Sequence, residues 1–426
     1  MKPALVSLGV INALGNNKSD VLSNLLAGNC LAGNAPGMQQ QAGWLPERDA
    51  WVGCVTATLP LVPARLHSFD CRNNQLLLAA LAQIENDITD AVKQYGVDRV
   101  GVVIGSSTSG IAEGEIALRK KNSDGHWPEN YDYRQQEIGS PAEFVARYLN
   151  LTGIAYTIST ACSSSAKALA SARQLLELDL CDAVICGGSD SLCKLTLNGF
   201  FALEAMSSDR CEPFSEKRNG INIGEGAALF LMKKNNHDSG IALNKITLAG
   251  IGESADAHHI SAPHPDGIGA ETAMRAALKD AQINAADIHY INLHGTATPL
   301  NDAMESAAVF RVFGDNVSCS STKPITGHTL GAAGATEAAL CWLLLSDMNS
   351  NRSLPAQINN AMPDSSLTPI KLLRTTETLP AEKPLRMLSN SFAFGGSNAA
   401  VILEAHTRKK FWIWKLCCHI AHRCYC

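Results

Sequence analysis

The sequence predicts an α/β fold made of two related halves. Short uninterrupted apolar runs, such as residues 102–104 and 184–186, are typical of strands covered by helices on both faces. The 33 glycines lie largely between such runs, as in the turns of an α/β protein. Two segments, one in each half, lead from a strand-like run past a chemically reactive side chain into a helix of small residues. This recurrence indicates an internal duplication.

The first of these segments surrounds Cys162. Residues 155–159 predict a short buried strand, and residues 166–178, rich in Ala and Leu, predict a helix. Unpaired backbone N–H groups and the helix dipole at such a junction favour the thiolate, which is the nucleophilic form of cysteine. A lone intracellular cysteine is more often a small buried hydrophobe, so the interpretation depends on the other motifs.

Two histidines follow in the second half. His294 comes directly after the strand-like residues 288–291. His328 lies in residues 320–345, which lead from a strand-like run into a helix of Ala and Gly. Cys162 and His328 thus each precede a small-residue helix, which is the recurrence that suggests a duplication.

Four motifs carry a family resemblance: TACSSS, HGTATP, STKPITGHTLGAAGATEA and NSFAFGGSNAAVIL. Their order resembles that of the elongating β-ketoacyl-acyl carrier protein synthases, over most of residues 3–406. The resemblance implies the thiolase-like fold, with two similar α/β halves in a five-layered α-β-α-β-α arrangement. It also implies a decarboxylating Claisen condensation between an acyl group and malonyl-acyl carrier protein, in fatty acid or polyketide and polyene synthesis.

The resemblance assigns catalytic roles. Cys162 would carry the acyl group, because a thioester is formed and broken with modest barriers. His294 and His328 would donate N–H groups to the enolate oxygen in a site with little water. Lys323 would shape the electrostatics near the histidines, and Glu305 would hold this lysine network. Read singly, each of these could be an ordinary core or surface residue, and only the joint pattern argues otherwise.

Further residues would bind the substrate. Thr296 and Thr298 match positions that hydrogen-bond the phosphopantetheine arm, although either could simply bond its own backbone in a turn. Phe394 would gate the acyl pocket and complete an oxyanion hole with Cys162. Paired glycines allow a backbone to approach a substrate closely. The loop residues assigned to substrate binding are Phe392, Gly395 and Gly396. The sequence departs from the family at Ala393 and Asn301, both usually glycine.

Domain limits follow from the duplication. We predict a first half over residues 1–244 and a second half over residues 245–407. Insertions around residues 107–150 and 191–220 would form cap and dimer contacts. Residues 408–426 form a tail with Cys, His and Trp, to which we assign no role.

Charge and cysteine content limit the partners. The net charge of −5 and the lack of a basic tract argue against nucleic acid binding. The family's partner is an acidic acyl carrier protein, for which a local patch of Arg65 with Arg119, Lys120 and Lys121 is the candidate, or equally a solvated helix face. No cofactor is expected beyond the carrier's phosphopantetheine. The 14 cysteines lack framework spacing and no apolar run spans a membrane, which predicts the cytoplasm.

Two other functions stay open at this point. The chain could work as one subunit of a ketosynthase and chain-length-factor heterodimer, or as a homodimer. Chain-length partners usually lack the cysteine, which is present here. A cluster of Asp and His in one irregular loop would suit a metal-dependent hydrolase, although it leaves Cys162 unexplained; its members are Asp256, His258, His259, His264 and Asp266.

Overall fold

The computed structural model describes residues 2–27, 36–235, 246–381 and 384–406. Its strands are β1 Ala4–Asn12, β2 Met38–Gln41, β3 Ala50–Gly53, β4 Val100–Gly105, β5 Ala155–Ile158, β6 Ala183–Asp190, β7 Ile223–Gly224, β8 Gly226–Lys233, β9 Ile246–Ala255, β10 Tyr290–Asn292, β11 Ser318–Ser320, β12 Ser353–Leu354, β13 Glu377–Thr378, β14 Leu385–Phe392 and β15 Ser397–Ala405. Its α-helices are α1 Lys18–Leu26, α2 Arg72–Leu81, α3 Glu85–Tyr95, α4 Ile111–Asp124, α5 Ser140–Tyr148, α6 Ser164–Glu177, α7 Lys194–Ala202, α8 Ile268–Ala281, α9 Pro299–Phe313, α10 Lys323–Thr326 and α11 Ala333–Leu345.

The main sheet consists of two equivalent sets of strands. The order from one edge is β5-β4-β6-β8-β1, and the order from the other edge is β11-β10-β14-β15-β9. In both sets the outer three strands are parallel and the inner two are antiparallel. A single pair, Ala4 with Thr247, joins the sets at β1 and β9. This matching order confirms the duplication that the sequence indicates.

Helices cover both sets of strands and complete five layers. Helices α2 and α5 pack on the outer face of the first set, and α8 packs on the outer face of the second. Helices α6 and α11 contact each other and strands of both sets, so they form the central layer. The thiolase-like five-layered arrangement is therefore confirmed.

The central layer explains the small residues of its two helices. Helix α11 is mostly apolar and is enclosed by protein on every side, and Trp342 is its one half-buried residue. A Cβ on Gly334 would lie 2.8 Å from both the backbone nitrogen and the Cβ of Ala166 in α6. Larger side chains at this crossing would push the two helices apart.

One element differs from its prediction. Strand β5 is the edge of the sheet and its residues are exposed or half-buried, whereas the apolar sequence predicts a buried strand. The predicted boundary at residues 244 and 245 and the tail of residues 408–426 lie outside the described residues. Within the ranges that the structure describes, no helix combines the length and hydropathy needed to cross a bilayer.

Candidate active site

Cys162 lies in a tight turn between β5 and α6, directly before the residue that caps the helix. The preceding Ala161 has a φ of 51°, a left-handed conformation that costs energy for a residue with a side chain. Hydroxyl groups hold this turn: Ser164 Oγ donates to the Ala161 carbonyl at 2.6 Å and accepts from the Thr160 N–H at 2.8 Å. The serines after the cysteine thus fix its position.

His328 occupies the equivalent turn before α11. Its N–H donates to the Asn222 carbonyl at 2.7 Å, and its carbonyl accepts from the Gly224 N–H at 2.9 Å. Gly327, with a φ of 68°, packs so closely on Gly224 that a Cβ would lie 2.8 Å from its backbone. The segment of the first half that includes β7 therefore holds the histidine of the second half in place.

His294 follows β10 and is held by Glu305. The Glu305 carboxylate accepts the backbone N–H of His294 at 2.8 Å and that of Gly295 at 2.7 Å. The Asn390 amide donates to the same carboxylate at 3.1 Å. Glu305 is fully buried in α9, so it is not on a solvated helix face. Its contacts fix the direction in which the His294 side chain leaves the strand.

These turns bring the three predicted catalytic side chains together. His328 Nε2 lies 2.9 Å from the Cys162 sulfur. The rings of His294 and His328 meet edge to face, with centroids 5.3 Å apart. All three residues are buried, with the cysteine 5% exposed and the histidines 2% or less. A reacting carbonyl at Cys162 would thus face both imidazoles.

The lysine network differs from its prediction. Lys323 is buried and forms an ion pair with Glu337 in α11, and it also donates to the His294 carbonyl. Glu305 forms no ion pair with Lys323 among the described residues, because its oxygens accept the backbone N–H groups beside His294. Glu337 stands in the third motif, so the signal was present, but a Glu inside an Ala-rich helix does not by itself indicate its partner.

Burial determines the charge of the histidines. It lowers the pKa of His294 well below its ordinary value, and the Lys323 ammonium and His328 add to this effect. Burial, followed by Lys323, also lowers the pKa of His328. Both imidazoles are therefore neutral near pH 7. Lys323 Nζ lies 3.5 Å from His294 Nδ1, and an ammonium has only donors, so the ring proton of His294 is on Nε2.

The thiol does not follow the prediction of a lowered pKa. Burial raises the pKa of Cys162 to about 11, against the opposing effects of the Lys323 ammonium and the Phe394 backbone N–H. Loss of water around the sulfur outweighs the favourable position at the helix start. The resting cysteine is therefore a thiol, with His328 Nε2 as the nearest acceptor for its proton.

Two backbone N–H groups converge at the Cys162 sulfur. The N–H groups of Phe394 and Cys162 both hydrogen-bond at the cysteine sulfur and lower its pKa. Two convergent N–H groups are the arrangement that stabilises the oxyanion of an acyl-transfer intermediate. These are the two positions that the family resemblance assigns.

A cleft of about 440 Å³, including its open mouth, leads to the cysteine. Thr296 and Thr298 line it, with their hydroxyl oxygens 3.0 Å apart. The rings of Phe200 and Phe394 narrow the cleft, with centroids 5.5 Å apart. Further lining residues are Asn301, Phe392, Ala393 and both histidines.

The glycine-rich loop tolerates its alanine. Ala393 does not adopt a positive φ, and its N–H donates to the Ser397 carbonyl at 2.9 Å. Gly395 and Gly396 have φ values of 84° and 79°, so the left-handed conformations fall on residues without a side chain. The loop geometry therefore does not require glycine at position 393.

The predicted basic patch is not a single surface of free cations. Arg65 donates to the carbonyls of Arg147 and Tyr148 at the end of α5, so it caps a helix. Lys121 lies over the Trp127 ring, with its nitrogen 4.4 Å from the centroid. Arg119 and Lys120 are exposed on α4.

The histidine-rich loop does not form a metal site in the described structure. His259 Nδ1 accepts the N–H groups of Ser261 and Ala262, and Asp256 accepts from Asn398 and from the His264 N–H. These groups are occupied by their own loop and its neighbour. Among the described residues, the group spaced closely enough to hold a metal ion is instead Cys162, His294 and His328, whose possible ligand atoms lie within 4.8 Å of one another. The Nε2 proton of His294 and the nearby Lys323 ammonium oppose a cation there.

Fold and site together define a condensing enzyme of the thiolase-like class. The model of the β-ketoacyl synthase N-terminal domain matches residues 2–237, and that of the C-terminal domain matches residues 246–359. The chain therefore belongs to the β-ketoacyl synthase family, and it is an acyltransferase of the ketosynthase type.

Individual relatives support this placement. A chain from the solved complex of a ketosynthase with its chain length factor, from Xenorhabdus doucetiae, gives a TM-score of 0.87 at 46% identity, covering 95% of this chain and 98% of that one. The 3-oxoacyl-[acyl-carrier-protein] synthase 2 of Rhizobium meliloti strain 1021 is 36% identical over 72% of this chain and 74% of its own length. Nodulation protein E of Rhizobium meliloti is 35% identical over 74% and 79%, respectively.

Proposed function

We propose that Cys162 accepts an acyl group from acyl carrier protein and condenses it with malonyl-acyl carrier protein, giving a β-ketoacyl-acyl carrier protein. The observation that carries this proposal is the contact of Cys162 with one of two neutral, buried histidines. A neutral imidazole with its proton on Nε2 donates a hydrogen bond without bringing a charge into the site. This is what a developing enolate needs.

The first half-reaction loads the enzyme. The Cys162 thiol passes its proton to His328 Nε2 as the sulfur attacks the acyl thioester. The N–H groups of Cys162 and Phe394 stabilise the resulting oxyanion. The carrier thiolate leaves and takes up the proton, so the histidine is neutral again and the acyl group is on the cysteine.

The second half-reaction forms the carbon–carbon bond. The malonyl C–C bond breaks, CO₂ leaves, and its electron pair becomes an enolate whose oxygen accepts a hydrogen bond from Nε2 of His294. His328 adds a second hydrogen bond in the tautomer that carries its proton on Nε2, since its Nδ1 has no partner among the described residues that would fix the proton there. The enolate carbon attacks the acyl-cysteine, and the Cys162 thiolate leaves and takes up a proton from solvent. Lys323 supports both steps by fixing His294 and by lowering the pKa of the thiol.

The substrates arrive on a carrier protein, so no separate cofactor is needed. The paired hydroxyls of Thr296 and Thr298 line the cleft and suit the amide groups of a phosphopantetheine arm. Arg119 and Lys120 are the exposed cations of the predicted patch that suit an acidic carrier. We place the reaction in the cytoplasm, where buried cysteines without disulfide bonds are usual.

The enzyme works as a dimer, and we favour a heterodimer with a related ketosynthase-like subunit over a homodimer. The support is the similarity to a chain from the solved complex of a ketosynthase with its chain length factor. Strand β5 offers an open sheet edge, and α4 and α7 expose Leu118 at 50% and Leu195 at 60%. The same reaction serves fatty acid and polyketide synthesis.

Intact-mass analysis tests the proposal. The purified chain is mixed with acylated carrier protein and then with malonyl-carrier. An acyl mass on Cys162 that disappears as a β-ketoacyl-carrier two carbons longer forms is the expected result. Cys162→Ala keeps the fold and loses loading. Loading without elongation identifies a missing partner subunit or an acyltransferase, and no loading at all favours a non-condensing partner of the same fold.

A further inference from the structure

Asp190 is a fully buried carboxylate at the end of β6, between the turns that carry Cys162 and His328. One of its oxygens accepts from the Ser107 N–H and from the N–H and hydroxyl of Thr108, all at 2.8 Å. The other accepts from the Ala332 N–H at 3.1 Å, in the turn that follows His328. It thereby joins the two halves of the molecule.

The partners of Asp190 require an acceptor. In every described hydrogen bond to its side chain, the partner group donates and the carboxylate accepts. The Ser106 hydroxyl, at 2.8 Å, is the last of these donors. An asparagine amide in this position would replace one acceptor oxygen with an NH₂ group, and its two N–H bonds would face one of these donors. A carboxylate accepts all of them; burial raises the pKa of Asp190, against the hydrogen bonds from Ser106, Ser107 and Thr108.

The end of β6 also touches the cysteine side. A Cβ on Gly188 would lie 2.6 Å from Ser165 Cβ and 3.1 Å from Ala332 Cα, so the strand lies directly under both catalytic helices. The Ser107 hydroxyl reaches the Ala161 carbonyl at 3.4 Å, in the strained residue before Cys162. Movement at Asp190 would therefore reach both sides of the contact between sulfur and imidazole.

We infer that Asp190 is a positioning residue for the pair formed by Cys162 and His328, and thus for the loading step. The inference rests on the proposed function for its kinetic readout. Asp190 acts through the turns it holds, since none of its contacts is with the cysteine sulfur or the imidazole.

Asp190→Asn tests the inference with two readouts. The loading rate from acyl-carrier should fall roughly 10- to 100-fold, the cost of a small misplacement in a reacting pair, while KM for the carrier changes little. Alkylation of Cys162 by iodoacetamide, which needs no carrier, should also slow severalfold at pH 8. If the wild type does not load, the proposed function fails, and alkylation alone decides the inference.

A matched control separates positioning from stability. Glu404 is equally buried, at the far end of β15, and pairs with Arg386 and His406. Glu404→Gln should lower Tm and leave both rates unchanged. If Asp190→Asn does not fold, Thr108→Val removes one donor and should slow loading and alkylation. The inference is overturned if the Asp190 variant, or the Thr108 variant when it is used instead, keeps the wild-type rates. It is also overturned if the rates of Glu404→Gln fall in proportion to its fall in Tm.

Discussion

At the scale of single residues, chemistry is set by burial and by one ammonium group. The histidines are neutral because burial removes the solvent that would stabilise their charge. The ring proton of His294 is on Nε2 because Lys323 lies beside Nδ1. The same burial raises the pKa of Cys162, so the nucleophile forms when substrate arrives and His328 takes its proton. A thiolate need not be present before the substrate binds, because His328 is already in contact with the thiol and can accept its proton.

The raised pKa predicts the pH dependence of cysteine alkylation. The thiol is protonated well below pH 11, so the thiolate fraction and the rate with iodoacetamide should rise about tenfold per pH unit from pH 7 to 9. Mass mapping of Cys162 after timed exposure measures this rate. A plateau beginning below pH 8 would contradict the assignment.

The buried ion pair predicts an asymmetric loss of stability. Lys323→Met leaves Glu337 without its partner and should lower the free energy of unfolding by about 3–5 kcal/mol. The double variant with Glu337→Gln removes both charges and should be more stable than the single one. Thermal unfolding of the three proteins measures the order. A single variant as stable as the wild type would show that the pair is not formed.

At the scale of elements, the two catalytic turns are copies of one another. Each lies between a short strand and a central helix, and α6 and α11 touch directly through a hydrogen bond from the Ala335 N–H to Ser165 Oγ at 2.8 Å. Their small residues permit this contact, which places Cys162 against His328. Duplication thus supplies both the nucleophile and its acceptor.

Sequence patterns predicted the two catalytic turns well, because the strand and helix periods and the four motifs depend only on residues close together in the sequence. They placed Cys162 and His328 correctly before their helices and His294 correctly after its strand. They missed the exposure of β5, because edge position depends on the order of strands in space. They also missed the pairing of Lys323 with Glu337, since only packing brings a carboxylate of α11 to that lysine.

The glycine-rich loop predicts contrasting effects of two substitutions. A Cβ on Gly396 would lie 2.9 Å from Asp256 and at a φ of 79°, so Gly396→Ala should lower condensation at least tenfold by displacing the loop. Ala393→Gly is the control, and its activity should stay within twofold because residue 393 needs no special φ. Steady-state rates with malonyl-carrier measure both. Equal activity of the two variants would contradict this account.

At the scale of the whole molecule, the active site is closed by contacts between halves. The segment around β7 holds His328, and the end of β6 holds the turn after it. The first half also leaves an open strand edge at β5 and exposed leucines on α4 and α7. A partner subunit there would cover the face opposite to the second half.

This surface predicts which substitutions break the dimer. Leu118→Glu with Leu195→Glu should convert the dimer to monomers and change monomer stability by less than about 1 kcal/mol, as exposed positions do. Leu178→Glu, at the far end of α6 and 68% exposed, is the control and should stay dimeric. Mass photometry of the chain alone and with its partner subunit reads the result. Dimers of unchanged mass in the double variant would place the interface elsewhere.

The measurement that tests the central claim most directly is CO₂ release from malonyl-carrier by enzyme already acylated on Cys162. Wild type and His294→Ala are compared, with the acyl mass confirmed on each. The account predicts that His294→Ala keeps its acyl group and releases CO₂ roughly 100- to 1,000-fold more slowly, the usual cost of one oxyanion donor. Release at the wild-type rate from the acylated variant would contradict the role of the histidines in holding the enolate.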